Sequence, residues 1–146
     1  MDETTQAKTV ARKMGIRPGS RAFLSNVPPE VRSALNLPDL DRACELTGEF
    51  DYLHLFVFTR IDLNAALPRF RDRLRPGGML WVSWPKGGQL GTDLSLHEVV
   101  RIGYGHGLVE STCLSVNDTW SALKFTWPKP GKVYRNSHAE LNRHTT

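Results

Sequence analysis

Residues 50–84 read FDYLHLFVFTRIDLNAALPRFRDRLRPGGMLWVSW, and this stretch decides the fold. Tyr52-Leu53-His54-Leu55-Phe56-Val57-Phe58 is an almost continuous apolar run rich in aromatic residues, the pattern of a central strand covered on both faces. Met79-Leu80-Trp81-Val82-Ser83-Trp84 is a second such run. Between them, Leu63, Ala66, Leu67, Phe70 and Leu74 recur at helical spacing, Asp62 is placed as an N-cap, and Arg75-Pro76-Gly77-Gly78 stops the helix. Pro68 removes a backbone hydrogen bond inside that helix and predicts a kink or restart near Leu67. Strand, helix and strand in this order predict parallel strands joined by a right-handed crossover, and hence an α/β fold.

Upstream, Ala7, Val10, Ala11 and Met14 predict a helix over 4–14 that Gly15 closes, and Arg21–Ser25 is a short run suited to a buried strand. Pro29 suits the first position of a short helix through Leu35, because its missing N–H has no partner there. Leu40–Leu46 is a charged strand candidate that fits best at a sheet edge. Downstream, Ser95 and Glu98 form a capping box for a helix carrying Leu96, Val99 and Val100, with Gly107 as its stop. Leu108–Val116 and Trp120–Trp127 flank Asn117-Asp118-Thr119 and predict a closing antiparallel hairpin. Residues 1–128 therefore read as one domain, and 129–146 as a polar, basic tail expected to be disordered.

The totals narrow the function class. A chain of 146 residues with 40% hydrophobic and 23% charged residues suits one globular domain that needs no staple. Cys44 and Cys113 stand alone without metal-ligand spacing, so neither a disulfide framework nor a zinc site is indicated, and both read as buried thiols. No apolar run is long enough to span a bilayer and the first residues lack a signal-peptide core, which makes the cytoplasm the expected compartment. The net charge of +4 is spread along the chain rather than clustered, which disfavours a nucleic-acid surface. There is no GxSxG elbow, P-loop or HExxH, and the five histidines share no metal spacing. His54, inside the central strand, reads as a hydrogen-bonded core residue.

Phe50-Asp51 opening a central strand, Leu74-Arg75-Pro76-Gly77-Gly78 before the next one, and the terminal hairpin together resemble the second half of class I S-adenosylmethionine-dependent methyltransferases. Through Trp81-Val82-Ser83-Trp84-Pro85-Lys86 and Asp118-Thr119-Trp120-Ser121-Ala122-Leu123-Lys124-Phe125, the chain is similar to a small bacterial family of unknown function whose members look like truncated methyltransferases. The resemblance spans about residues 15–127. It implies a truncated Rossmann-like, mostly parallel sheet flanked by helices and ending in an antiparallel hairpin.

The cofactor chemistry of that family departs here. A methyltransferase holds its cofactor on a glycine-rich turn after the first strand, where only glycine combines close approach with the required dihedrals. In this chain the turn is Ser25-Asn26-Val27-Pro28-Pro29-Glu30, without glycine and with two residues that lack an N–H. The acidic residue expected at the end of the second strand has only Asp39, Asp41 and Glu45 as candidates, and each reads as a solvated surface charge because the identifying spacing is lost. These readings predict no cofactor and a non-catalytic, methyltransferase-like domain that binds a small ligand or a protein partner at the carboxyl edge of its sheet. The alternatives are an S-adenosylmethionine-dependent methyltransferase with an atypical loop, or a basic module for protein or nucleic acid that uses Arg69–Arg75 or the tail.

In open α/β sheets ligands bind beyond the carboxyl ends of the parallel strands, which points to Asn26, Thr59, Arg60, Trp84 and Lys86. The hairpin turn places Asp118 and Trp120 on the same edge. Two readings follow. Trp84 and Trp120, with Lys86 and Arg60 as cations and Asp118 as acceptor, line a pocket for an anionic or planar ligand. Alternatively the two tryptophans plug the rim and Asp118 caps its own turn.

Overall fold

A computed structural model describes residues 9–129, 133–135 and 140–142. In chain order its elements are α1 (Val10–Met14), β1 (Arg21–Ser25), α2 (Pro29–Leu35), β2 (Asp41–Arg42), β3 (Phe50–Phe56), α3 (Arg60–Arg71) and β4 (Leu74–Pro85). After a turn of 3-10 type over Lys86–Gly91 come α4 (Leu96–Gly105), β5 (Val109–Ser115), β6 (Trp120–Thr126), β7 (Val133–Arg135) and β8 (Glu140–Asn142). The main sheet has the order β2-β1-β3-β4-β6-β5. The first four of these strands are mutually parallel, and β6 runs antiparallel to both of its neighbours.

Strand alternation sorts the core into two layers. Leu53 and Leu55 on β3, and Val57 just beyond it, face α3 and α4, where they pack with Leu63, Leu67, Phe70, Val99 and Val100. Tyr52 and Phe56 face the other way and pack with Met14 of α1 and with Val31 and Leu35 of α2. The strand is buried on both sides, as its unbroken apolar sequence predicts.

Element boundaries carry several corrections. Thr59, not Asp62, is the N-cap of α3: its Oγ1 accepts from the Asp62 N–H at 3.1 Å. Helix α3 continues through Pro68, with Asp72 N–H donating to the Pro68 carbonyl at 3.1 Å. Leu40–Leu46 contributes only the two residues of β2, which pairs parallel with β1 at the edge. Cys44 and Cys113 are free and exposed rather than buried. Cys113 lies outward because β6 inserts between β4 and β5 and leaves β5 on the rim. Within the segment read as a disordered tail, β7 and β8 pair as an antiparallel ribbon. The amino-terminal part of the helix expected over 4–14 lies outside the described residues. Among the described residues, no helix is long and apolar enough to cross a membrane.

Phe50-Asp51 and the proline-glycine-glycine turn meet at the amino end of the sheet. Register slips between Phe50 and Tyr52, so Phe50 pairs with Leu74 and Tyr52 with Met79. The extra residues bulge, and a Cβ on Gly78 would stand 2.9 Å from the Arg75 carbonyl oxygen and 3.0 Å from that of Phe50. The Asp51 carboxylate ties strands together, accepting from the Arg21 N–H at 3.0 Å and from Arg75 Nη1 at 2.6 Å.

Helix α4 offers an internal comparison. Gly103 is packed so closely under Phe125 that an added Cβ would overlap the buried ring, whereas nothing lies near that position at Gly105. Gly103→Ala is therefore expected to lower stability by about 1–3 kcal/mol despite alanine's better helix propensity. Gly105→Ala is expected to be neutral or to raise stability by up to about 1 kcal/mol. Urea denaturation of the two variants checks the contrast.

Candidate functional site

The connections define where a ligand belongs. From β1 the chain passes through α2 to β2 on one side, and from β3 it passes through α3 to β4 on the other. β1 and β3 are adjacent, so their carboxyl ends flank the point where the winding reverses, the crevice that open α/β sheets use. A cavity of about 340 Å³ lies there. Ser25 and Asn26 from β1 and its turn, Phe56 and Phe58 from β3 and its exit, and Asp62 and Arg69 from α3 are among its walls.

The wall chemistry is mixed. Phe23, Phe58 and Phe70 give it aromatic surface, and Asp62 and Arg69 give it one charge of each sign. These two are seven positions apart on α3, two turns along one face and about 10 Å along the axis. Among the described residues, neither forms an ion pair. Asn26 has φ +62°, a left-handed conformation that asparagine reaches more readily than most residues and that the glycine-rich turn would otherwise supply.

The seven residues singled out from sequence separate into three places. Asn26 alone lines the crevice. Thr59 caps α3, and Arg60 is held in ion pairs, with Nε 3.5 Å from Asp93 Oδ2 and Nη1 3.9 Å from Glu98, while its backbone N–H donates to Asp93 Oδ1 at 2.8 Å. Arg60 thus faces a different, open groove of about 460 Å³ between α3 and α4.

Trp84, Lys86, Asp118 and Trp120 do gather on the carboxyl edge, where their loops bond to each other. The Lys86 N–H donates to the Thr119 carbonyl at 2.7 Å, Lys86 Nζ donates to Ser115 Oγ, and Gln89 Nε2 donates to the Asp118 carbonyl at 3.3 Å. The turn is capped by Asn117 rather than Asp118: Asn117 Oδ1 accepts from the N–H groups of Thr119 and Trp120. Both tryptophans are buried, on opposite faces of the sheet, Trp84 in the α3–α4 layer and Trp120 in the α1–α2 layer. The Trp120 indole Nε1–H is buried without a hydrogen-bond partner among the described residues.

Sequence reasoning missed Asp62 and Arg69 as a pair. Their spacing on the helix after the central strand was the available signal, but Asp62 was accounted for as a cap. His54 is a core residue. Its Nδ1 lies 2.6 Å from Tyr52 Oη and its Nε2 2.8 Å from Ser83 Oγ, and the ring stacks on Phe56 at 4.3 Å. Burial pulls its pKa down to about 3, which keeps it neutral. Among the described residues, no three His, Cys, Asp or Glu side chains converge as a metal site.

No family profile and no curated protein matches this chain. Solved structures do. The Burkholderia thailandensis 1,6-didemethyltoxoflavin-N1-methyltransferase with bound 1,6-didemethyltoxoflavin and S-adenosylhomocysteine is similar with a TM-score of 0.56 and 11% identity, over 82% of this chain and 75% of that one. Magnesium protoporphyrin IX methyltransferase from Synechocystis with bound SAM has a TM-score of 0.53 and 11% identity, over 81% and 74%. A methyltransferase from Pyrococcus furiosus has a TM-score of 0.52 and 16% identity, over 80% and 79%.

The chain therefore has the methyltransferase-like Rossmann fold. The expectation of no cofactor is corrected by the same comparison, since the Synechocystis and Burkholderia thailandensis structures hold SAM and S-adenosylhomocysteine. Asn26 adopts a positive φ without being glycine, so the missing glycine does not by itself exclude a cofactor.

Proposed function

We propose that this chain is a methyltransferase-like domain that binds an S-adenosyl compound in the crevice between the carboxyl ends of β1 and β3. The observation that carries the reading is the cavity at the winding reversal, with Asp62 and Arg69 at its wall and neither in an ion pair among the described residues. The donor set suits such a ligand. A carboxylate accepts from an α-ammonium group, a guanidinium donates to an α-carboxylate in a bidentate fork, and the phenylalanine rings offer apolar surface to a purine. Prolines 28 and 29 take two N–H donors from the turn, so side chains carry more of the binding than a glycine loop would require.

Calorimetric titration of the whole chain with S-adenosylmethionine and S-adenosylhomocysteine tests this. Micromolar affinity is expected, weakened roughly tenfold or more by Arg69→Gln, the loss of one charged hydrogen-bonding group. Arg60→Gln, in the other groove, is expected to leave affinity unchanged. Absence of binding heat and of any thermal shift at millimolar ligand would sink the reading.

A further inference from the structure

On the opposite side of β1 from the crevice lies a second cavity, of about 160 Å³, walled by Leu24, Val27, Arg32, Leu35, Leu37 and Arg42. The β1–α2 turn separates the two, with Asn26 lining the first and Val27 the second. Its floor is apolar and its only charged wall residues are the two arginines. Several arginines have carboxylates beside them: Arg21 has Asp41, Arg60 has Asp93, Arg71 has Asp72 and Arg75 has Asp51. Among the described residues, Arg32 and Arg42 have none.

Arg32 and Arg42 are both exposed, and both line the hollow. Arg42 ends β2 in register with Ala22, on the same face as the buried Tyr52, and its charge lowers the cost of ionising the Tyr52 hydroxyl, which burial otherwise pushes up. Two like charges at one small apolar hollow repel each other unless an anion joins them. A guanidinium has five donors and no acceptor.

We propose that the Arg32–Arg42 cavity is a binding site for a phosphomonoester with a small apolar body, separate from the S-adenosyl crevice. The dianionic head lies between the two guanidinium groups and the organic part rests on Leu24, Val27, Leu35 and Leu37. A monoester suits two convergent arginines better than a diester, which carries one charge and fewer free oxygens.

Phenyl phosphate is the probe, titrated into the full chain by calorimetry beside inorganic phosphate, dimethyl phosphate and phenol. Phenyl phosphate is expected to bind at least about tenfold more tightly than any of the three. Arg32→Gln and Arg42→Gln are each expected to weaken it roughly tenfold or more, with circular dichroism unchanged. Arg69→Gln, which lowers S-adenosyl affinity, is expected to leave phenyl phosphate binding intact, so the two sites stand or fall apart. Equal binding of dimethyl phosphate, indifference to both arginine substitutions, or no binding by the folded protein overturns the proposal.

Discussion

Trp120→Ala is expected to cost about 3–5 kcal/mol of stability, the range for emptying a large aromatic side chain from a packed core. Trp120 is 1% exposed and opens β6, paired across the sheet with Pro85. Its indole meets Phe56 edge-on at 5.6 Å and Phe58 at 5.3 Å, and it shares a layer with Trp81, Val116 and Ala122. Such contacts hold the end of the sheet rather than an open rim. Trp120→Phe separates packing from hydrogen bonding: because Nε1–H has no partner among the described residues, phenylalanine removes a buried unsatisfied donor, and a loss below about 1.5 kcal/mol is expected. Urea midpoints for the two variants give the answer. A Trp120→Ala protein as stable as wild type would contradict the plug and return the tryptophan to the list of candidate ligand contacts.

What the sequence showed and what it hid have physical causes. The two runs at 52–58 and 79–84 are legible because a strand buried on both faces has no polar alternation to blur it, and their crossover helix has a regular apolar repeat. The meeting of the Lys86 and Asp118 loops on one edge was equally legible, since it depends only on strand direction. Which face each tryptophan takes was not, because side-chain direction reverses with every residue of register, and register across β4 and β6 is set by distant pairing. The outward position of Cys113 depends on strand order, another non-local property. At the crevice, residue type in the turn suggested loss of a glycine-dependent conformation, yet Asn26 adopts a positive φ that residue type alone did not disclose. Asp62 and Arg69 went unpaired in the reading because each had a sufficient local explanation, as a cap and as part of a basic helix end.

Acid is expected to unfold the protein through His54. The ring is fully buried, and its folded-state pKa near 3 lies well below the ordinary 6.5 that it regains on unfolding. Between those values the unfolded chain binds a proton that the folded chain refuses, so stability rises with pH across this window. The contribution is fully present above about pH 6.5 and drains away as pH falls toward 3. At about 1.4 kcal/mol per pH unit the loss amounts to roughly 5 kcal/mol, comparable to the whole stability of a small domain. The geometry explains why the ring does not escape to water: Tyr52 and Ser83 hold its two nitrogens from β3 itself and from β4, and Phe56 covers its face. His54→Gln removes the titration while keeping a polar side chain in the network. Its stability at pH 7 is expected to fall, because one amide cannot reproduce both ring contacts, yet its decline from pH 6.5 to 3.5 is expected to be shallower than that of wild type by several kcal/mol. The carboxylates are the same in both proteins and cancel in the difference. Parallel pH profiles for the two, measured as urea midpoints, would show that His54 already carries its proton in the folded state and that burial does not govern this site.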